Sequence, residues 1–118
     1  MILLHSRQKS FNRFGASSPA IIVPDSQVYA LYEELCQKGA QRDVRLHLTV
    51  NDTEGSGPNE IYRALSVEYL KFIDMLRRRP LPGLRMTTAT IVGETHGSGI
   101  VDAYRSFIRA CYSLPLPD

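Results

Sequence analysis

The sequence predicts one α/β domain, a three-stranded, mainly parallel sheet flanked by helices, and three patterns predict it. Asp43-Val-Arg-Leu-His-Leu-Thr-Val50 alternates with period two, putting Val44, Leu46, Leu48 and Val50 on one face and Arg45, His47 and Thr49 on the other. Apolar residues recur at helical spacing on either side of it, through Val28, Leu31, Tyr32, Leu35 and Cys36 before and Ile61, Leu65, Tyr69, Phe72, Ile73 and Leu76 after. Leu84 to Val92, rich in threonine and branched residues, suits a pleated surface and precedes a last amphipathic pattern at Ile100, Val101, Tyr104, Phe107, Ile108 and Cys111. Strands joined through helices pair in parallel and carry helices on both faces of the sheet. A chain of 118 residues, 43% of them hydrophobic, can bury one core of this kind. The domain is expected over residues 1–113, with 114–118 as a tail.

The remaining elements follow from local chemistry. Met1-Ile-Leu-Leu reads as the back end of a helix whose beginning lies upstream, because it has no cap and runs into polar Ser6-Arg-Gln-Lys-Ser10. Phe11 to Ser18 is a short strand, stopped where Pro19 follows Ser17-Ser18. A loop through Ile21-Ile22-Val23-Pro24 leads to a helix capped by Asp25 or Ser26, running to Lys38 with Gly39 just past its end. Asn51-Asp-Thr-Glu-Gly-Ser-Gly-Pro-Asn59 reads as a loop that continues neither strand nor helix. The next helix runs from Asn59 or Glu60 to Arg79, and Pro80 with Leu81-Pro82-Gly83 ends it.

Composition narrows the function. The formal charge is +2 and the cations are scattered except at Arg77-Arg78-Arg79, which complement the negative end of their helix and stay solvated, so no nucleic-acid partner is expected. No apolar run reaches the roughly 18 residues of a membrane span, and Met1-Ile-Leu-Leu-His lacks the basic start and length of a secretory signal. No membrane partner and a cytoplasmic location are therefore expected. Cys36 and Cys111 fall on apolar helix positions and read as buried thiols rather than a disulfide.

In open parallel sheets, working residues gather on loops beyond the carboxyl ends of the strands. Two loops qualify here. One carries Asp52 and Glu54; the other, Val92-Gly-Glu-Thr-His-Gly-Ser-Gly99, carries His96 among Gly93, Gly97 and Gly99, which permit positive backbone angles and close approach. An acid followed by a later histidine is the order of the second and third members of a Ser…Asp/Glu…His triad. Asp52 is favoured as the acid because it directly follows its strand, with Glu54 as the alternative. His47, on the polar face of its strand, reads as a surface or helix-contacting residue. A metal site of His47, His96, Asp52 and Glu54 matches no ligand spacing, and no metal or cofactor is expected. A nucleophile elbow, G-x-S-x-G, is absent: Ser17 lies in Gly15-Ala-Ser-Ser-Pro19, Ser56 in Glu54-Gly-Ser-Gly-Pro58 and Ser98 in His96-Gly-Ser-Gly-Ile100.

From Ser10 to Tyr112 the chain resembles the carboxyl-terminal half of the esterase family of α/β-hydrolases that contains siderophore trilactone esterases and is similar to S-formylglutathione hydrolase. Phe11-Asn-Arg-Phe-Gly-Ala-Ser-Ser-Pro-Ala20 resembles the strand after the elbow helix, which in that family ends in a Ser-Pro pair. Leu46-His-Leu-Thr-Val-Asn-Asp52 resembles the acid-bearing strand and turn, and Leu81-Pro-Gly-Leu-Arg85 with Gly93-Glu-Thr-His-Gly-Ser98 resembles the closing segment that holds the family's histidine. The resemblance implies a truncated α/β-hydrolase and a serine esterase mechanism. His96 would be the general base, and Asp52, at the position where the family places its acid, would orient it. The elbow and the early strands that supply the other oxyanion donor are not among these residues. Two functions follow: a serine-esterase-like fragment acting on a small-molecule carboxylic ester, such as a siderophore lactone, once a nucleophile-bearing segment completes it; or a non-catalytic α/β interaction module. The edge of the first strand, Arg13 to Ser18, is expected to pair with another chain, most simply in a homo-oligomer.

Overall fold

The computed structural model describes residues 11–19, 21, 27–38 and 43–113. The helix end expected at Met1-Ile-Leu-Leu, the caps Asp25 and Ser26, Gly39 and the tail 114–118 lie outside the described residues.

Three strands form the sheet, β1 (Arg13–Ser17), β2 (Val44–Asn51) and β3 (Leu84–Ile91), in the order β1-β2-β3. Both pairings are parallel, with Ala16 beside Leu48 and Leu48 beside Thr88. Successive side chains of β2 point to opposite faces. Leu48 packs with Tyr32 and Leu35 of α1 (Val28–Lys38) and with Tyr69, Phe72, Ile73 and Leu76 of α3 (Glu60–Arg78). The residues between, Arg45 and His47, bond to α4 (Ile100–Tyr112) on the other face. The sheet is thus covered on both sides, as parallel sheets require.

The α1–α3 layer holds most of the core. Tyr69 donates its hydroxyl to the Leu48 carbonyl at 3.1 Å, so a ring can be buried there without an orphaned polar group. On the other face α4 comes close enough to β1 that a Cβ on Gly15 would lie 2.8 Å from the Phe107 ring. The carbonyl of Cys111, in the last turn of α4, accepts from Arg13 at 2.9 Å and from Arg45 at 3.2 Å. Two neighbouring strands therefore place cations at the negative end of that helix.

Two expectations change, His47 takes the helix-contacting of its two alternatives, and the arginine run stays exposed as expected. Asn51–Asn59 is not all loop, because Asp52–Ser56 form a one-turn helix, α2, with acidic residues in its first turn. His47 is buried, with its Nδ1 2.7 Å from the Thr87 hydroxyl and its Nε2 2.7 Å from that of Ser106; burial pushes its pKa down. Ile61 and Tyr104 fit the helical spacing of core positions yet are exposed, since α3 buries only from Leu65 onward and α4 seats through Ala103 and Cys111. Of the arginine run, Arg78 pairs with Asp74 at 2.8 Å, and Arg79 ties the end of α3 to Glu33 of α1. Cys36 and Cys111 are free thiols. Among the described residues no helix is long and apolar enough to cross a membrane.

Candidate active site

The site forms beyond the carboxyl ends of all three strands, where β1 delivers Ser18, β2 delivers α2, and β3 delivers the histidine loop. Asn51 ends β2 with extended backbone (φ −90°, ψ 134°) and opens α2. Glu54, at the third helical position, folds back on it as in a capping box: the Asn51 backbone N–H donates to Oε2 at 3.4 Å and the Asn51 amide to Oε1 at 3.3 Å. Glu54 is consequently 2% exposed.

A buried carboxylate needs further donors. Ser18 supplies one, its hydroxyl lying 2.9 Å from Oε1 and 2.7 Å from Oε2. To reach it Ser18 adopts φ +45°, a left-handed conformation disfavoured both for a residue with a Cβ and for one that precedes proline. Its backbone N–H is held by the Thr49 carbonyl at 2.8 Å, which keeps the strained residue in line with β2.

His96 supplies the last donor. Its Nδ1 lies 2.6 Å from Glu54 Oε1, and because a carboxylate only accepts, Nδ1 carries the proton and donates it. That tautomer leaves the Nε2 lone pair free, and the side chain is 40% exposed while its partner is sealed away. The ring also stacks on Tyr62, with centroids 4.6 Å apart and planes 12° apart.

The sequence set Asp52 first and Glu54 second against the imidazole, and the structure reverses that contact. Asp52, exposed at the start of α2, instead accepts the Gly93 N–H at 3.0 Å, and Thr53 donates to the Glu94 carbonyl. Both residues fasten the histidine loop to α2. The reason is helical geometry: the third residue of the turn folds back under the strand ends, whereas the first points outward toward the neighbouring loop. An Asn-x-x-Glu spacing directly after a strand was the available signal. Ser18 and Tyr62 were missed, because nothing in the local sequence says which residues the sheet order brings to the same end.

The histidine loop is held by its own turns. Thr95 and Ser98 exchange backbone-to-hydroxyl bonds of 2.9 and 3.1 Å, and the Gly99 N–H donates to the Thr95 carbonyl at 2.9 Å. Gly93 takes φ +78°, whereas Gly99 is needed for space: a Cβ there would fall 1.9 Å from Asn51 Oδ1. Ser98 is thereby committed to its turn, and Ser56 donates to the Asp52 carbonyl at 3.4 Å. None of the described serines bonds to His96. Nor are His47 and His96 brought together, and among the described residues no three His, Cys, Asp or Glu side chains cluster as a metal site would.

No family model and no curated protein matches this chain. Solved structures do. The siderophore hydrolase EstB from Aspergillus nidulans superposes with TM-score 0.74 over 98% of this chain and 44% of its own, at 19% identity. The chain has the fold of part of an α/β-hydrolase. The BES protein from Bacillus cereus superposes with TM-score 0.70 over 91% of this chain and 38% of its own, at 21% identity. The chain thus spans less than half the length of each of these structures.

Burial pushes the Glu54 carboxyl pKa up, but the hydrogen bonds from Ser18, His96 and both Asn51 groups outweigh it and hold it below its ordinary value. A carboxyl with a lowered folded pKa stabilises the fold fully above its unfolded value, and that stability is lost as pH falls through the folded one. In urea titrations over a pH series, acidification below the ordinary carboxylate range should therefore cost the unsubstituted chain more stability than it costs Glu54→Gln.

Proposed function

We propose that this chain is the acid–histidine half of a serine ester hydrolase, in which Glu54 orients His96 as general base and the serine comes from a segment outside these 118 residues. The observation that carries the reading is the 2.6 Å contact between His96 Nδ1 and the buried Glu54. Nε2 takes the serine proton as the hydroxyl attacks the ester carbonyl, and the Glu54 carboxylate stabilises the imidazolium that forms. The proton then passes to the leaving alcohol. Water repeats the cycle on the acyl-enzyme with the same base.

The completing segment is expected along β1. A groove of about 270 Å³ there is lined by Gly15, Ser17 and Thr49 on the sheet and Ile100, Tyr104 and Phe107 on α4. Ile100, Val101 and Tyr104 expose apolar surface beside it, the kind of patch that marks an interaction site. The other edge strand, β3, turns Arg85, Thr87 and Thr90 to solvent, and the groove beside it is more polar, lined by Asp102, Arg105 and Arg109 of α4. Structural neighbours more than twice this chain's length support a nucleophile-bearing segment as the occupant, with a second copy of the chain as the competing one. As a purely non-catalytic module the domain would carry the strain at Ser18 and a buried carboxylate without chemical return, which favours the hydrolase reading. Because one neighbour is named as a siderophore hydrolase, siderophore esters are the substrates to try beside p-nitrophenyl esters.

The test is hydrolysis by the chain alone and by the chain supplied with a G-x-S-x-G segment, fused ahead of Met1 or added as a second chain. Only the completed protein should turn over ester, and His96→Ala should abolish it. Hydrolysis by the 118 residues alone, lost in His96→Ala, would contradict the proposal.

A further inference from the structure

We propose that Tyr62 is a positioning residue for His96, a stacking platform that fixes the plane of the imidazole; this rests on the reading of His96 as general base. The Glu54 hydrogen bond pins one ring atom, Nδ1, and leaves the ring free to pivot about that contact. His96 stands on a loop, partly exposed, where such pivoting swings Nε2 through an arc and spoils its alignment with an attacking hydroxyl. A ring face held at 12° and 4.6 Å removes the pivot, because any tilt of the imidazole drives it into the phenol.

The platform is itself fixed. Tyr62 lies in the first turn of α3, where its backbone N–H and that of Ile61 donate to Asn59 Oδ1 at 3.1 and 3.0 Å. The Arg63 guanidinium donates to the Gly57 carbonyl at 2.7 Å and braces the connection between α2 and α3. Glu54 and Tyr62 flank that one short connection, so the group that holds the ring's edge and the group that holds its face move as a unit. The phenol face also attracts the positive charge that the imidazole acquires during the reaction. The face does this work and the hydroxyl does not, so Phe should replace Tyr62 and an aliphatic residue should not.

Nitrogen-15 and carbon-13 NMR of the His96 ring in the full chain tests this without any reference to hydrolysis. The unsubstituted protein should show ring-to-ring NOEs between Tyr62 and His96, a single tautomer protonated on Nδ1, and ring carbons as rigid as the backbone. Tyr62→Phe should keep that tautomer and that rigidity. Tyr62→Leu, with its backbone amide spectrum otherwise retained, should keep the Nδ1 proton donated to Glu54 but show a mobile ring in carbon-13 relaxation. Missing NOEs in the unsubstituted protein would overturn the proposal, as would a rigid ring in Tyr62→Leu or a mobile one in Tyr62→Phe; should Tyr62→Leu fail to fold, the NOEs and Tyr62→Phe decide. Since no arm reads ester turnover, an inactive completed enzyme would count against the proposed function and leave the stack intact, while a mobile ring in an active enzyme would do the reverse.

Discussion

Glu54→Gln should lower ester hydrolysis by the completed enzyme about 10⁴-fold, the order of loss seen when a triad carboxylate becomes an amide. The carboxylate accepts from Ser18, Asn51 and His96 at once, so each of its oxygens faces donors. An amide of the same shape must turn its NH₂ toward some of those donors. Toward His96 it would select the tautomer protonated on Nε2, which cannot act as a base. Asp52→Asn is the control, because an asparagine oxygen can still accept the Gly93 N–H that Asp52 accepts at 3.0 Å. That variant should keep nearly all activity. A large loss in Asp52→Asn with little change in Glu54→Gln would restore the residue favoured from sequence.

Gly99→Ala should destabilise the chain by about 1–3 kcal/mol, the usual cost of overpacking, and disturb the site as it does so. Gly99 has φ −75°, which alanine adopts freely, so no backbone strain is involved. The conflict is with Asn51: a Cβ would sit 1.9 Å from its Oδ1 and 2.7 Å from its Cγ. Asn51 cannot easily yield, since it is 1% exposed and its backbone and side-chain N–H groups both hold Glu54. Gly97→Ala, where an added Cβ meets nothing within 4 Å, should be neutral in the same urea titration. Adding Asn51→Ala to Gly99→Ala should recover part of the loss beyond additivity, the sign of a direct steric coupling.

Much of the fold was legible because it rests on periodicity. The alternation in Val44–Asn51 marks the strand, the stripe from Leu65 to Leu76 encodes burial directly, and strands separated by helices leave few topologies open. The outer half of α4 misled for a physical reason: Tyr104 has the spacing of a core residue, yet α4 seats on the sheet through Ala103 and Cys111 and leaves Tyr104 exposed. The site was legible to the level of its two loops and no finer. His96 stood out by its glycines, but choosing between Asp52 and Glu54 depended on whether residues 52–56 formed a helical turn. Once that turn forms, the third residue folds inward and the first faces the neighbouring loop. Ser18 and Tyr62 join the site through strand order and helix packing, and no local pattern announces either.

The most direct test of Glu54 and His96 as an acid–base pair awaiting an outside nucleophile is fluorophosphonate labelling, with the labelled residue located by mass spectrometry. The chain alone should take no label. The completed protein should be labelled on the elbow serine of the added segment, and the label should be lost in His96→Ala. A label on Ser17, Ser18, Ser56 or Ser98 of the chain alone, lost in His96→Ala, would contradict the proposal.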